Sequence, residues 1–343
     1  MWSAGMRVIG VDIGGTKVAA GLVEANSGSP PVLTARARGP VDPTTNKGGT
    51  ASILEVVDQV WRDAKSHGST VAAIGVACAG SVDHHSGVLR RASNMAWIDL
   101  GIAEALEARY GVPVTVENDV NAAAWGEAIF GDPDRESSSA IPTIAYITIG
   151  TGIGTGAVEG GRIVRGRAGG AGELGHLPGL AGAVDPDAGA VVCSCGARGC
   201  VEAVASGPAF ASAGQSWARD GRAPGLVEAS HGDLSRIDAS MITRLATAGD
   251  TDALLLVARE GRFIAQTIAV AWRAYAPDVI VLGGGVMNAG DVMLSAVQNG
   301  LSSLAVSGPS RLRECSSWVL ASRLGDDAGV IGAGALVVVR PAS

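Results

Sequence analysis

Residues 7–23, RVIGVDIGGTKVAAGLV, contain two short apolar runs separated by a glycine-rich turn. The first run covers residues 7–12 and ends in an acid, and the second run covers residues 18–23. Apolar runs of this length on either side of a Gly-Gly pair predict two β-strands joined as a hairpin. The polar groups are concentrated in the turn, so we expect its chemistry to matter more than its shape.

The turn of this hairpin holds groups that suit a phosphate. Gly14 and Gly15 let backbone N–H groups approach phosphate oxygens, and Thr16 and Lys17 add a hydroxyl and a positive charge. Asp12, at the end of the first strand, is placed to hold Mg²⁺ directly or through water. The alternative is an ordinary glycine-rich hairpin with a solvated lysine, and the turn alone does not decide between the two.

The same strand, turn and strand pattern returns later in the chain. Residues 144–149, IAYITI, lead into Gly150-Thr151-Gly152 and then into a second strand, which a Gly160-Gly161 turn ends. The pattern begins a second half of the chain as the first hairpin begins the first half. It therefore predicts a second phosphate-contacting turn at Gly150, Thr151 and Gly152.

The second turn also resembles a dinucleotide-binding fingerprint. Gly152-x-Gly154-x-x-Ala157 loosely fits the glycine pattern, and Glu173 lies near the distance expected of the ribose-binding acid. That fingerprint must open a helix, however, and the residues after Gly156, AVEGGRIV, contain too much glycine for a first helical turn. The sequence predicts a strand and a turn there instead.

Three of the five cysteines lie together in the segment 193–200, CSCGARGC, and His176 precedes them. One imidazole and three thiolates, from His176, Cys193, Cys195 and Cys200, form a closed tetrahedral shell, which predicts a structural zinc site. The glycines at 196 and 199 allow the tight turns that bring three sulfurs together. The alternatives are a disulfide remnant or small buried core residues.

Further polar groups lie at the ends of predicted strands. Asn118 and Asp119 follow a strand at 112–116 and precede a helix at about 120–130, the edge where open α/β sheets bind ligands. Asp119 would also be favoured there as a plain helix cap. Asn94 lies on an apolar stretch, where the alternative to a ligand contact is a buried structural amide. Glu173 and Glu202 flank the cysteine segment and are not needed by a metal.

A glycine triplet, Gly283-Gly284-Gly285, follows a predicted buried strand at 279–282. Such a triplet lets a flat ring or a sugar lie against the backbone, or it serves as a turn into a helix. The remaining patterns predict a strand at 71–77, a loop at 80–83, an exposed excursion at 179–190, and helices at 51–67, 99–110, 204–222, 238–276 and 326–336. Cys78 and Cys315 are predicted to be small buried residues.

Length and composition limit the classes of protein to which the chain belongs. A chain of 343 residues predicts two domains. A formal net charge of -7 gives no basic surface for nucleic acid or for an anionic membrane. There is no apolar run of about 20 residues and no secretory leader in residues 1–6. Clustered cysteines suit metal binding in a reducing cytoplasm, so we expect a cytoplasmic protein.

Several of these motifs together resemble the ROK family of sugar kinases and repressors, within the actin-like ATPase superfamily. The motifs are VDIGGTK at 11–17, ENDVNA at 117–122, ELGH at 173–176 and CSCGARGCVE at 193–202. The resemblance covers residues 7 to about 340. It implies an α/β fold of the actin-like ATPase (ribonuclease H-like) type, with mixed sheets, two domains and an inter-domain cleft that holds ATP. The implied domains are 6–119 with 328–340, and 120–327, the latter carrying the zinc.

The resemblance also implies roles for individual residues. It makes Asp119 the catalytic base, and it makes His176 a zinc ligand whose second ring nitrogen faces the sugar. It implies sugar contacts from Asn94, Asn118, Asp119, Glu173, His176 and Glu202. It implies nucleotide contacts from Asp12, Gly14, Gly15, Thr16, Lys17, Gly150, Thr151, Gly152, Gly283, Gly284 and Gly285.

The implied activity is transfer of a phosphoryl group from ATP, with Mg²⁺, to the 6-hydroxyl of a hexose, first of all glucose, by a homodimer or homotetramer. The segment between His176 and Cys193 is longer than is usual in the family, which keeps N-acetylmannosamine, N-acetylglucosamine or an amino hexose open as the acceptor. Family repressors carry a DNA-binding domain ahead of the hairpin. Because six residues precede Arg7 and the net charge is negative, we expect a kinase rather than a repressor.

Overall fold

The structure, a computed structural model, describes residues 6–25, 31–92, 94–132, 140–304 and 317–339. These residues form two units. The first unit comprises the described residues within Met1–Tyr146, Gly156–Gly172 and Ser322–Ser343, and the second comprises those within Ile147–Thr155 and Glu173–Ala321. The predicted domains, 6–119 with 328–340 and 120–327, place their boundaries elsewhere, and that division stays a prediction. Residue 340 and Cys315 lie outside the described residues.

The strands and helices alternate along the chain as an α/β fold requires. The strands are β1 Met6–Ile13, β2 Lys17–Ala25, β3 Val32–Pro40, β4 Ile74–Cys78, β5 Gly80–Asp83, β6 Val88–Ala92, β7 Ile98–Gly101, β8 Val114–Asn118, β9 Ile144–Ile149, β10 Ile153–Glu159, β11 Arg162–Ile163, β12 Val279–Gly283 and β13 Val319–Ala321. The α-helices are α1 Asn46–Ser66, α2 Ile102–Tyr110, α3 Asp119–Phe130, α4 Pro186–Gly189, α5 Glu202–Ala205, α6 Gly207–Arg219, α7 Pro224–Ala229, α8 Ala239–Thr247, α9 Thr251–Tyr275, α10 Asp291–Leu304 and α11 Ala328–Val338.

The first unit is built on a mixed sheet in the order β3-β2-β1-β4-β8. The predicted hairpin is confirmed, because β1 and β2 pair antiparallel up to Ile13 opposite Val18. Strands β1, β4 and β8 run parallel to one another. Their carboxyl ends therefore meet at one edge of the sheet, and this edge carries Asp12 and Asn118.

The two faces of this sheet differ in the size of their side chains. One face, with Ile9, Val11 and Ile13 of β1, is fully buried in an apolar core to which helix α1 contributes. On the other face, glycines let α11 approach the strands closely. A Cβ atom added to Gly10 would overlap the Val330 carbonyl oxygen, and one added to Gly75 would overlap that of Ala333. The sheet therefore contacts the backbone of α11 directly.

This close approach gives a first prediction. Gly75→Ala should lower the free energy of unfolding by about 3 kcal/mol, because the methyl group forces α11 away from β4. Gly14→Ala is the matched control, since its Cβ would meet only the Lys17 carbonyl oxygen, at an ordinary 3.6 Å. Urea unfolding measures both variants. Equal stability of Gly75→Ala and the unmodified protein would show that α11 does not depend on this glycine.

A second five-stranded sheet has the order β11-β10-β9-β12-β13. The boundary between the two units falls inside β9, after Tyr146, and inside β10, after Thr155. It contains the second predicted strand, turn and strand, with Gly150, Thr151 and Gly152 between β9 and β10. The dinucleotide fingerprint is excluded, because a strand and not a helix follows Gly152. The predicted strand at 279–282 is β12.

A small antiparallel sheet, β5-β6-β7, corrects one prediction. Residues 80–83, predicted as a loop, form β5, which pairs with β6 from Gly80 opposite Ala92 to Asp83 opposite Val88. Four residues are too few for the alternation of apolar and polar side chains to be visible. The excursion at 179–190 is also not fully exposed, because Ala181 and Ala188 are buried.

Some observed helix boundaries differ from the predicted ones, because residues at the helix ends determine where a helix begins and stops. Helix α1 begins at Asn46 and not at 51, because the Thr45 side chain accepts a hydrogen bond from Gly48 N–H. The pattern predicted as one helix over 238–276 is two helices, α8 and α9, separated at Gly249, where φ is +90°. Cys78 is buried as predicted.

Candidate functional site

The first glycine turn is formed within the first unit by a hydrogen bond from Gly14 N–H to the Lys17 carbonyl oxygen, at 3.0 Å. Neither Gly14 nor Gly15 has a positive φ, so the turn itself does not require glycine at either position. Thr16 and Lys17 are exposed. Gly14 N–H is used within the turn, the side chains of Thr16 and Lys17 are exposed to solvent, and the phosphate contact stays a prediction.

Asn94 lies beside this turn. It is exposed, so the alternative of a buried structural amide is wrong. A Cβ atom added to Gly15 would lie 3.3 Å from Asn94 Cβ. Asn94, a predicted sugar contact, is therefore a neighbour of Gly15 in the predicted phosphate turn, although the two residues are far apart in the sequence.

Two carboxylates meet at the edge of the first sheet. The pKa of Asp12 is raised to about 6, first by burial and then by the negative charge of Asp119, against the opposing effect of Lys17 and Arg38. Helix α11 covers Asp12, and a Cβ atom on Gly329 would lie 2.6 Å from the Asp12 carboxyl carbon. A pair of acids that disfavour each other's charge is a site where a bound cation is stabilising.

Asn118, and not Asp119, caps helix α3. The Asn118 Oδ1 atom accepts hydrogen bonds from the backbone N–H groups of Val120, at 3.0 Å, and Asn121, at 3.1 Å. Its Nδ2 atom donates to Asp119 Oδ1 at 3.0 Å and to the Gly80 carbonyl oxygen at 3.1 Å. The cap alternative for Asp119 is therefore wrong. The Asn118 amide already makes four hydrogen bonds, which fills its capacity and favours orientation of Asp119 over direct sugar contact.

The second unit brings the predicted metal ligands together. One ligand atom from each of His176, Cys193, Cys195 and Cys200 lies within 4.8 Å of all the others. The Sγ atoms of Cys195 and Cys200 are 3.8 Å apart, and His176 Nδ1 is 3.4 Å from Cys193 Sγ. A tetrahedral metal shell requires S–S separations of about 3.8 Å and N–S separations of about 3.5 Å.

These separations also test the alternatives for the cysteines. A disulfide requires sulfurs about 2.05 Å apart, so Cys195 and Cys200 are not bonded to each other. Cys195 is exposed, which does not suit a small core residue. Gly196 and Gly199 have φ of +90° and +71°, so the turn that gathers the sulfurs does require glycine. The four groups fit a single metal ion.

Glu202 connects the metal ligands to the second glycine turn. One of its oxygens, Oε2, accepts a hydrogen bond from Ile153 N–H at 2.9 Å, at the first residue of β10. The other, Oε1, lies 3.5 Å from Nε2 of His176. His176 thus directs Nδ1 to the cysteines and Nε2 to Glu202, which fixes its tautomer when a metal is bound. Glu173 is exposed at the start of the turn that carries His176.

The other predicted nucleotide segments also lie together in the second unit. Gly150 N–H donates to the Gly152 carbonyl oxygen at 2.9 Å, and Thr151 between them is exposed. Gly284, with φ of +88°, approaches the end of β9 so closely that a Cβ atom would lie 2.5 Å from the Ile149 carbonyl oxygen. Gly283 ends β12, and Gly285 begins a short 3-10 helix, so the triplet is also a turn into a helix.

Sequence reasoning missed Arg165 and Glu117. Both are largely buried, and Arg165 Nε lies 2.6 Å from Glu117 Oε2 behind Asn118 and Asp119. The available signal was an acid inside a buried strand, directly before Asn118. Its arginine partner lies far along the chain, which a single sequence does not reveal.

Comparison with known proteins identifies the family. The sequence model of the ROK family matches residues 8–340. The chain belongs to the ROK family. This ROK protein is 32% identical over 327 residues to the glucokinase of Streptomyces coelicolor, covering 95% of both chains. It is 31% identical over 284 residues to the N-acetylmannosamine kinase of Shigella flexneri, covering 82% of this chain and 84% of the relative.

A solved structure supports the fold assignment. The ROK family glucokinase from Streptomyces griseus, in complex with glucose and AMPPNP, has a TM-score of 0.79 and 32% identity, covering 96% of this ROK chain and 98% of its own. The predicted α/β fold of the actin-like ATPase type, with mixed sheets, is confirmed. Among the residues that the structure describes, no helix combines the length and apolar character that a bilayer crossing needs.

Proposed function

We propose that this ROK protein is an ATP-dependent hexose 6-kinase that converts D-glucose and ATP into glucose 6-phosphate and ADP. The observation that carries the proposal is the pair Asp12 and Asp119 beside the open glycine turn of the first sheet. An acid for a metal, an acid for a proton and an exposed turn that carries a hydroxyl and an ammonium group are what phosphoryl transfer to an alcohol requires. Similarity to glucokinases across the whole length supports glucose as the acceptor.

Asp119 is the proposed base. A hexose hydroxyl has a pKa far above neutrality, so a carboxylate must accept its proton as the bond to phosphorus forms. Asn118 holds one oxygen of Asp119 and leaves the carboxylate oriented by a hydrogen bond. Asp12 is proposed to hold Mg²⁺, which would neutralise phosphate charge. The proposed nucleotide contacts are Gly14, Gly15, Thr16, Lys17, Gly150, Thr151, Gly152, Gly283, Gly284 and Gly285.

The metal of the Cys3His cluster is proposed to be zinc with a positioning role. Four protein ligands leave no open position for a reactant, so the ion stabilises local structure instead of taking part in phosphoryl transfer. It would hold His176 and, through it, Glu202. The proposed sugar contacts are Asn94, Asp119, Glu173, His176 and Glu202. Asn118, whose amide makes four hydrogen bonds within the protein, is proposed to act on the sugar through Asp119.

A second acceptor is supported by particular observations. An N-acetylmannosamine kinase is about as similar in identity as the glucokinases are, and residues 177–192 form a long spacer between two metal ligands. An N-acetylated or amino hexose is therefore the alternative substrate. A coupled assay that compares glucose, mannose, N-acetylmannosamine, N-acetylglucosamine and an amino hexose at equal concentrations tests both. The highest kcat/KM on an N-acetylated sugar would replace glucose, and no turnover of any sugar would overturn the kinase proposal.

We also propose that the chain assembles as a homodimer or homotetramer. Light scattering on the protein as it elutes from a size-exclusion column would measure the mass of the assembly directly. A mass equal to the 34.2 kDa of one chain would contradict this proposal.

The raised pKa of Asp12 gives a second prediction. Above about pH 6, ionised Asp12 destabilises the metal-free fold, because its pKa is about 6 in the folded protein and ordinarily 3.8. Asp12→Asn should therefore raise Tm by a few degrees at about pH 8 in EDTA. The gain should shrink as the pH falls through 6 towards 4, where Asp12 becomes protonated in both states.

The same variant should lose kinase activity, and Mg²⁺ should raise the Tm of the unmodified protein more than that of Asp12→Asn. Thermal melts across pH, with and without Mg²⁺, measure both effects. Asp327→Asn is the control, since its carboxylate pairs with Arg36 on the surface and should lower stability instead. A Tm gain for Asp12→Asn that is equal at about pH 8 and about pH 4 would contradict the assignment.

A further inference from the structure

A buried ion pair behind Asp119 has no part in the chemistry proposed above. Arg165 Nε donates to Glu117 Oε2 at 2.6 Å, and the two side chains are 18% and 4% exposed. Burying two charges costs several kcal/mol, and well-packed apolar residues in their place are often as stable. A contribution to fold stability alone therefore does not explain why this position holds a buried ion pair.

Hydrogen bonds connect the pair to Asp119. The second oxygen of Glu117, Oε1, accepts from the backbone N–H of Asn118 at 3.0 Å and from Asn121 Nδ2 at 3.2 Å. Asn118 Nδ2 in turn donates to Asp119 Oδ1 at 3.0 Å. A continuous network thus runs from Arg165 through Glu117 and Asn118 to the carboxylate of Asp119.

The backbone of Arg165 contacts the segment that leads towards Glu173. Its carbonyl oxygen accepts a hydrogen bond from Ala171 N–H at 3.0 Å. Between these residues, the 3-10 helix Arg167–Gly169 packs against β5, where Gly169 faces the Val82 carbonyl oxygen. The segment ahead of Glu173 is therefore held by the backbone of the residue whose side chain reaches the network of Asp119.

We propose that Arg165 is a positioning residue, which orients Asp119 through Glu117 and Asn118. The inference rests on the proposed kinase function, because it assigns Arg165 to the base of that reaction. Arg165 does not touch the substrate in this role. Its effect is on the alignment and charge environment of a group that does.

The charges around Asp119 determine what a change at Arg165 would do. Asp119 interacts electrostatically with Asp12 on β1, with Cys78 on β4 and with Tyr146 on β9. Glu117 lies two residues before Asp119 and is balanced by Arg165. Removing the arginine leaves an unbalanced negative charge near the base, and removing the glutamate leaves an unbalanced positive one.

The test uses Arg165→Gln, Glu117→Gln, the double variant and Arg165→Lys, with steady-state kinetics on glucose and ATP from about pH 5 to about pH 9. Arg165→Gln should lower kcat by roughly 100-fold with little change in the KM for ATP, and should move the acid limb of the kcat profile to higher pH. Glu117→Gln should move that limb to lower pH. The double variant should return it towards its original place, and Arg165→Lys should recover part of kcat.

Arg90→Gln is the matched control. Arg90 also pairs with two acids, Asp83 and Asp99, in the same unit, but its side chain is 51% exposed and lies outside the network. Its kcat and pH profile should be those of the unmodified protein. If Arg165→Gln behaves like Arg90→Gln, the positioning role is wrong while the kinase function stands.

Other outcomes remain decisive. Arg165→Gln could unfold, which the absence of a cooperative melt would show. In that case the double variant and Arg165→Lys test the proposal instead, through the position of the acid limb in their kcat profiles. The double variant leaves no buried charge unpaired. An acid limb that stays in place in every folded variant overturns the proposal. An unmodified protein that phosphorylates no hexose overturns the proposed function itself, which is a separate result.

Discussion

Asp119→Asn should lower kcat by roughly 10²- to 10⁴-fold, the range expected when a positioned general base is lost. The amide has the shape of the carboxylate and can still accept the hydrogen bond that Asn118 Nδ2 donates. It cannot accept a proton from a sugar hydroxyl, however. The KM for ATP and the affinity for glucose should change much less than kcat, because the lost interaction develops during the reaction.

Thermal melts and direct glucose binding separate this loss from misfolding. Helix α3 keeps its cap, because Asn118 supplies it, so Tm should be close to that of the unmodified protein. Asp119→Ala, which also removes the hydrogen-bond acceptor, should lose at least as much turnover. A kcat within about tenfold of the original in either variant would remove Asp119 from the role of base.

Cys195→Ala should release the metal and raise the KM for glucose by roughly tenfold or more, while kcat at saturating sugar changes less. The loss of a metal ligand leaves His176 without a fixed orientation, and Oε1 of Glu202, 3.5 Å from Nε2 of His176, loses one of its contacts. Asp119 and the first glycine turn belong to the other unit and keep their own supports.

Elemental analysis and sugar kinetics measure the two halves of this prediction. Ser194→Ala is the control for metal content, because Ser194 lies between two ligands but contributes none itself; its Oγ atom donates to Glu202 Oε1 at 3.5 Å, so its glucose KM is not part of the control. It should retain about one equivalent of zinc per chain. Cys195→Ala that keeps both its metal and its glucose KM would show that the cluster does not position the sugar contacts. Absence of zinc from the unmodified protein would contradict the metal assignment itself.

Local chemistry could be predicted where a short segment determines its own structure. The β1–β2 hairpin, the strand and turn at Gly150 and the gathering of Cys193, Cys195 and Cys200 each depend on glycines and on residues within a few positions. The sequence also predicts His176 as the fourth zinc ligand, because only a limited set of side chains binds zinc. In these cases residue type and spacing were sufficient.

Predictions failed where a contact between distant residues decides the outcome. The strand β5 exists because β6 pairs with it, and residues 80–83 alone do not indicate that pairing. Helix α3 begins at Asp119, so its cap is Asn118; a helix that began one residue later would be capped by Asp119 instead. The Arg165–Glu117 pair joins a residue of β8 to one that follows β11, 48 positions later, and no local pattern indicates it.

The glycine face of the first sheet has a consequence for how this chain is made. Strands β1 and β4 precede the second unit in the chain, but the helix that covers their glycines, α11, is translated only after that unit. Until α11 emerges from the ribosome, this face of the sheet is uncovered, and apolar side chains such as Val23, which lies against Gly334 of α11, are open to contact with other nascent chains. The first unit is therefore completed after synthesis of the second, and a chaperone that shields that face would act during this interval.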